Sequence, residues 1–236
     1  MLRKQLPPTP KQGRLAPVSA IGQPSATILL TGFTPFGGAS TNVSWMVAQT
    51  FHGTEIDGHT IVSAQLPTEF DHSLECLTDL IRKHHPVLVI CLGQAGGRSA
   101  ISLERIAINV ADARIADNAG AQPVDKPVVS GGPPGYFTSL PIKAMLQAVQ
   151  REGVAAEVSQ TAGTFVCNHV FYGLMHTLER RRALQGVRGG LIHLPFLPDQ
   201  GAPHMALDDM LRGLRAAMAC ALATRQDVKI GAGTEH

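Results

Sequence analysis

The chain has 236 residues, 44% of them apolar, enough for one substantial hydrophobic core, and it is read as a single domain. Its 20 basic and 18 acidic side chains leave a formal net charge of +2 and no basic stripe that could track a phosphate backbone, so nucleic acid is excluded as a partner. No apolar run reaches the roughly 18 residues of a membrane span, there is no signal-peptide core, and four cysteines (76, 91, 167, 220) form no CxxC pair, so the expectation is a cytoplasmic protein with reduced thiols, no membrane association and no metal site.

Residues 1–26 carry five prolines, four basic residues and no acidic one, with no sustained apolar period. They are expected to be a disordered extension ahead of a catalytic domain at 27–225 and a tail at 226–236. A transit peptide is disfavoured by sparse serine and by prolines that would interrupt its helix. Thr27 to Thr31 and His59 to Leu66 read as strands and Phe70 to His84 as a helix. The run Val87-Leu88-Val89-Ile90-Cys91-Leu92, stopped by Gly93, reads as a strand buried on both faces, which requires helices on both sides of the sheet. Asn109 to Tyr136, rich in Gly, Pro, Asp and Asn, reads as a long surface excursion. Leu140 to Gln150 and Phe165 to Leu184 read as helices, Ala155 to Ser159 and Gly190 to Leu194 as strands, and Met205 to Thr224 as a terminal helix. Arg180-Arg181-Arg182 reads as a solvated helix end. The sum is an α/β fold with a mostly parallel twisted sheet.

In such sheets the loops leaving the carboxyl ends of the strands converge on one edge, where ligands bind. Gly32 and Gly37 have the separation of the outer glycines of a phosphate-binding loop. Gly38 and Ala39 follow, however, instead of the lysine and hydroxyl that such a loop needs, and GxGxxG is absent. Phe33 and Phe36 fit either an aromatic-walled pocket or simple packing of the loop. Cys167 stands where a turn gives way to a helix, one residue off the stripe of Val166, Val170, Phe171, Leu174 and Leu178. A helix N-terminus there is expected to lower its pKa from roughly 8.5 toward neutrality. Cys91 and Cys220 lie in apolar segments that suit burial. His193, after an apolar strand, and Glu104 are candidate base and orienting carboxylate. By residue type alone His193 could equally be structural, and Glu104 could form a surface ion pair with Arg105. His169 and His176 lie two turns apart with no HExxH, so no zinc site is read.

Five segments, Gly32-Phe33-Thr34-Pro35-Phe36-Gly37-Gly38, Gly93-Gln94-Ala95-Gly96-Gly97-Arg98, Glu104-Arg105-Ile106-Ala107-Ile108-Asn109, Ala162-Gly163-Thr164-Phe165-Val166-Cys167-Asn168 and Ile192-His193-Leu194-Pro195-Phe196-Leu197-Pro198, resemble in order the pyroglutamyl peptidase type I family of cysteine exopeptidases. The resemblance spans about 27–224. It implies a three-layer α/β/α domain of the phosphorylase/hydrolase-like type, a homotetramer, no cofactor, and peptides with an N-terminal pyroglutamyl residue as substrates. It also implies Cys167 as nucleophile, His193 as general base and acid, and Glu104 as the carboxylate that orients the imidazole. Phe33, Phe36, Asn42 and Gln94 correspond to the substrate pocket, Phe165 and Val166 beside the nucleophile are counted with it, and Arg114 matches an arginine near the reaction centre. Val43 departs from the proline usual after Asn42 in that family. Two other readings remain open: a nucleoside phosphorylase-like enzyme, and a catalytically silent module that binds pyroglutamyl peptides.

Overall fold

The structure is a computed structural model and describes residues 26–233; the expectations for 1–25 and for the last three residues lie outside the described residues. Elements follow in chain order as β1 (Ala26–Phe33), α1 (Val43–Thr50), β2 (Glu55–Ile56), β3 (His59–Leu66), α2 (Phe70–His84), β4 (Leu88–Gln94), β5 (Ile101–Glu104), β6 (Ile106–Ile108), β7 (Gly135–Phe137), α3 (Ile142–Arg151), β8 (Ala156–Ser159), α4 (Val166–Arg180), β9 (Arg188–Leu194) and α5 (Leu207–Ala223). Seven strands form one sheet in the order β2-β3-β1-β4-β9-β5-β8, and β6 pairs with β7 in a separate antiparallel hairpin. Strands β3, β1, β4 and β9 are parallel. β5 runs antiparallel to β9 and parallel to β8. The expected α/β class and mostly parallel sheet are borne out.

The unbroken apolar run of β4 is explained by two separate cores. Leu88, Ile90 and Leu92 face one side and join Ile28 and Leu30 of β1 against α1, α3 and α5. Val89 and Cys91 face the other side and join Leu29 against α2 and α4. Each fully buried Leu or Ile contributes about 1.5–3 kcal/mol, so a strand that feeds both layers must be apolar at every position.

The expected helix over 165–184 ends at Arg180, because Arg181 leaves helical geometry at φ −94° and ψ 109° and a short 3-10 turn, Arg182–Leu184, follows. Arg180 to Arg182 are exposed, as expected of a solvated helix end. The elements read in chain order lack α1, the two-residue β2, the four-residue β5 and the β6–β7 hairpin. The segment after α5 makes specific bonds to α3. Asp227 accepts hydrogen bonds from the backbone N–H groups of Lys143 (3.0 Å) and Ala144 (2.8 Å), supplying the cap that Pro141 at the start of α3 cannot. Among the described residues no helix is long and apolar enough to cross a membrane, and no group of three or more His, Cys, Asp or Glu could hold a metal.

The link that fixes the carboxyl edge of the sheet is the meeting of β1 with the first turn of α1. Phe33 N–H donates to Ser44 Oγ (2.9 Å), Ser44 Oγ and N both donate to Asn42 Oδ1 (2.7 and 3.0 Å), and Asn42 Nδ2 donates to the Thr34 carbonyl (3.1 Å). Only glycine at 32 permits this approach: a Cβ there would lie 2.5 Å from the Ser44 backbone carbon and oxygen and from Trp45 N. Backbone cannot yield as a flexible side chain can, so Gly32→Ala should cost about 2–3 kcal/mol. In a domain of this size, that lowers Tm by roughly 4–12 °C, measured by calorimetric or circular dichroism melts. An unchanged Tm would show that α1 can shift away freely.

Candidate active site

Strand alternation delivers two of the candidate residues to the same face. In β9, Ile192 and Leu194 join the α1/α3/α5 core while Leu191 joins the opposite one, so His193, in phase with Leu191, faces the layer that holds α4. β5 pairs with β9 so that Ser102 lies opposite His193, and with Ile101 and Leu103 in the other core, Ser102 and Glu104 share the face of His193. The period-two pattern Ile101-Ser102-Leu103-Glu104 carried this signal in the sequence. Glu104 is fully buried and does not form the surface pair with Arg105; its Oε1 accepts from His193 Nδ1 at 2.7 Å and from Arg98 Nη1 at 2.6 Å. Arg98 also donates to the Thr161 carbonyl at 3.0 Å. It stood in the second glycine loop without an assigned role, and it is the partner that sequence reasoning missed.

Cys167 is the second residue of α4, half-buried. The first intrahelical bond runs from His169 N–H to the Phe165 carbonyl, so the N–H groups of Val166, Cys167 and Asn168 have no carbonyl one turn back. Asn168 clamps this helix start: its Oδ1 accepts from Ile108 N–H (3.0 Å) and its Nδ2 donates to the carbonyls of Ile108 (2.9 Å) and Val110 (3.0 Å). The thiol and the imidazole both lie beside Gly93, which pairs with His193 across β4 and β9. A Cβ on Gly93 would lie 2.8 Å from His193 Nε2 and 3.0 Å from Cys167 Sγ, so any side chain there would occupy the space on which the two reactive atoms converge.

The expected lowering of the Cys167 pKa is overturned. Burial pushes the thiol up to about 12, with the Glu104 carboxylate and Cys91 adding to the rise and Arg98 and the thiol's own backbone N–H opposing it. Loss of hydration outweighs the helix N-terminus here. The Glu104 carboxylate accepts from Nδ1 of His193, which leaves Nε2 as the basic nitrogen on the side toward Cys167.

A cavity of about 560 Å³ opens over these groups, walled by Phe36, Gln94, Arg98, Arg114, Phe165, Cys167 and His193, with Asp112 and Ile115. The Phe36 and Phe165 rings lie 5.8 Å apart, and Phe70 packs edge-on behind Phe165 at 5.3 Å. Three residues assigned to the pocket lie elsewhere. Phe33, 2% exposed, and Val166, fully buried, belong to the α2/α4 core, and Asn42 is the buried cap of α1. Arg114 is exposed at the rim. The excursion over 109–136 reaches this edge as well, where Asn118 donates to the Pro35 carbonyl at 2.9 Å.

Residues 26–224 match the family described as pyroglutamyl peptidase. The pyrrolidone-carboxylate peptidase of Cupriavidus taiwanensis is 52% identical over 215 residues, covering 89% of this chain and 99% of that protein. The protein of that name from Bacillus cereus is 49% identical over 215 residues, with the same coverage. Among solved structures, pyroglutamyl peptidase I of Bacillus amyloliquefaciens superposes with a TM-score of 0.85 at 45% identity, covering 88% of this chain and 100% of that one. The pyrrolidone carboxyl peptidase of Thermococcus litoralis gives 0.84 at 32% identity, covering 87% and 99%. Neither a phosphorylase nor a silent binding module gains support from these relatives. With almost nine tenths of its length matched in both sequence and fold, and those relatives covered almost end to end, the chain belongs to the pyroglutamyl peptidase family.

Proposed function

We propose that this protein hydrolyses the amide bond after an N-terminal pyroglutamyl residue, with Cys167 as nucleophile, His193 as general base and acid, and Glu104 as the group that orients the imidazole. The observation that carries the reading is the convergence of Cys167 Sγ and His193 Nε2 over Gly93, with Glu104 on the far nitrogen of the ring, in the wall of a cavity. Because burial keeps the thiol protonated at neutral pH, its proton passes to Nε2 as sulfur attacks the pyroglutamyl carbonyl. The imidazolium so formed faces the Glu104 carboxylate through Nδ1–H and then protonates the leaving amine. A thioester remains, and water, deprotonated by the same nitrogen, releases pyroglutamate and restores the thiol.

The unpaired N–H groups at the start of α4 are the natural donors to the developing oxyanion, each worth roughly 3–4 kcal/mol when well placed. A five-membered lactam is neutral and flat and suits a cavity with Phe36 and Phe165 in its wall. A free N-terminus would bring an ammonium into the same space, where the Arg98 and Arg114 guanidinium groups repel it and desolvation costs several kcal/mol. The reading extends to a homotetramer working in the cytoplasm. Exposed Val124 and Phe137 are apolar surface of the sort that self-association covers, and the four cysteines are all free.

Cys167→Ala and His193→Ala should each lower kcat/KM for a pyroglutamyl arylamide by at least ~10³-fold while the fold is kept. Activity retained in purified Cys167→Ala would remove the nucleophile. Glu104→Gln keeps the shape but not the charge, and kcat should drop by about 10²–10⁴-fold; a drop confined to KM would deny Glu104 its orienting role. The raised thiol pKa sets a further expectation. Alkylation of Cys167 by iodoacetamide should keep rising by about tenfold per pH unit past pH 9, where an ordinary thiol near 8.5 levels off. A plateau at neutral pH would mean that α4 and Arg98 prevail over burial.

A further inference from the structure

Gln94, the last residue of β4, has one amide atom whose identity is fixed by its surroundings. Its Oε1 accepts from the Val43 backbone N–H at 2.9 Å and from Gln200 Nε2 at 3.1 Å. A backbone N–H can only donate, so the oxygen of the Gln94 amide must face Val43. Gln200 is fixed in the same way from its other end. Leu197 N–H donates to Gln200 Oε1 at 2.9 Å, which leaves Nε2 for Gln94 and for Thr41 Oγ1 at 3.3 Å. Two side-chain amides are therefore locked head to tail between two backbone donors, and turning either one over would set N–H against N–H. With both bonds spent on Oε1, the part of the amide that Gln94 has left for the cavity is its Nε2, a donor. Gln200 itself is not part of the cavity wall.

We infer that Gln200 is a positioning residue for substrate recognition: it holds the Gln94 amide with its nitrogen toward the cavity, so that the site selects a ring bearing a carbonyl acceptor. The inference deepens the pyroglutamyl reading and rests on it, since the lactam carbonyl is that acceptor. A neutral donor matched to a neutral acceptor also fits the rejection of charged termini, because the pocket gains nothing from an ammonium that brings only more donors.

The test compares wild type with Gln200→Leu and Gln200→Glu in three measurements: KM and kcat for a pyroglutamyl arylamide, the rate of Cys167 alkylation, and the calorimetric affinity for 2-pyrrolidone, which carries the ring carbonyl but no scissile bond. Leucine removes one of the two bonds on Gln94 Oε1, and KM should rise about threefold. Glutamate still accepts from Leu197 but presents an acceptor to Gln94, driving its amide to turn, and KM should rise about tenfold or more. The affinity for 2-pyrrolidone should fall by the same factors while kcat and the alkylation rate stay near wild type. Unchanged KM and 2-pyrrolidone affinity in the variants would overturn the inference, as would KM, kcat and alkylation changing together. If the glutamate variant does not fold, the leucine variant decides alone. A wild-type protein that fails to cleave the arylamide would sink the peptidase reading, while the 2-pyrrolidone ratios would still decide the role of Gln200.

Discussion

One oxygen atom, Glu104 Oε1, ties together the chemistry and the packing of this molecule. It lies fully buried on a four-residue strand and accepts at once from His193 Nδ1 and Arg98 Nη1. A carboxylate taken out of water costs several kcal/mol unless its partners restore what hydration supplied. Both partners here come from loops and strands that must already be in register, since His193 requires β9 beside β5 and Arg98 requires the turn after β4. The burial of one side chain therefore makes the imidazole orientation conditional on the whole carboxyl edge of the sheet. Arg98, with its second nitrogen on the Thr161 carbonyl, extends that dependence to the loop that leads into α4. The buried charge is tolerable because two charge-complementing groups from separate segments, β9 and the loop after β4, converge on Oε1.

The same buried surroundings work against Cys167. A helix N-terminus and a nearby guanidinium favour thiolate, but a thiol packed among apolar groups and facing the field of Glu104 is held protonated. In the mechanism proposed above, this opposition gives His193 its task as a base rather than as a bystander to a ready-made thiolate. It also suits a neutral substrate. In the proposed mechanism a resting thiolate in the cavity would need to be desolvated again when a neutral lactam enters, whereas a thiol held protonated acquires charge only as the carbonyl is attacked.

Much of this was legible from the chain. The two-sided burial of β4 was written in its apolar run, and α2 and β3 lie at the residues that the periodicity marks, because both have long patterned faces. The β5 strand was easy to miss because its period-two signal lasts only four residues, two of them polar. A serine and a glutamate in a short segment read as surface until the partner strand β9 supplies a histidine and the loop after β4 an arginine. The environment of Gln94 was equally hidden. Its partners stand at 43 and 200, and no local pattern relates a glutamine to an amide 106 residues away. The pKa of Cys167 was misjudged for a related reason, since sequence shows the helix start but not how many groups crowd over it.

The glycine loops that first suggest phosphate binding have a different physical purpose. A phosphate cradle uses glycine so that backbone N–H groups can turn toward an anion. Here three of the glycines stand where another part of the protein takes the space of a side chain: α1 backbone over Gly32, the imidazole and thiol over Gly93, and the Phe196 ring over Gly96. Each vacancy draws a different segment against the sheet edge, and together they bring helix start, base and loop into one small volume. Substituting these positions would move the groups that form the site rather than remove a ligand contact. Gly32, Gly93 and Gly96 thus record close packing around the site, while Gly37, Gly38 and Gly97 supply the left-handed turns at φ 61°, 80° and 84° that the loops need, which accounts for loops rich in glycine that carry no lysine for a phosphate.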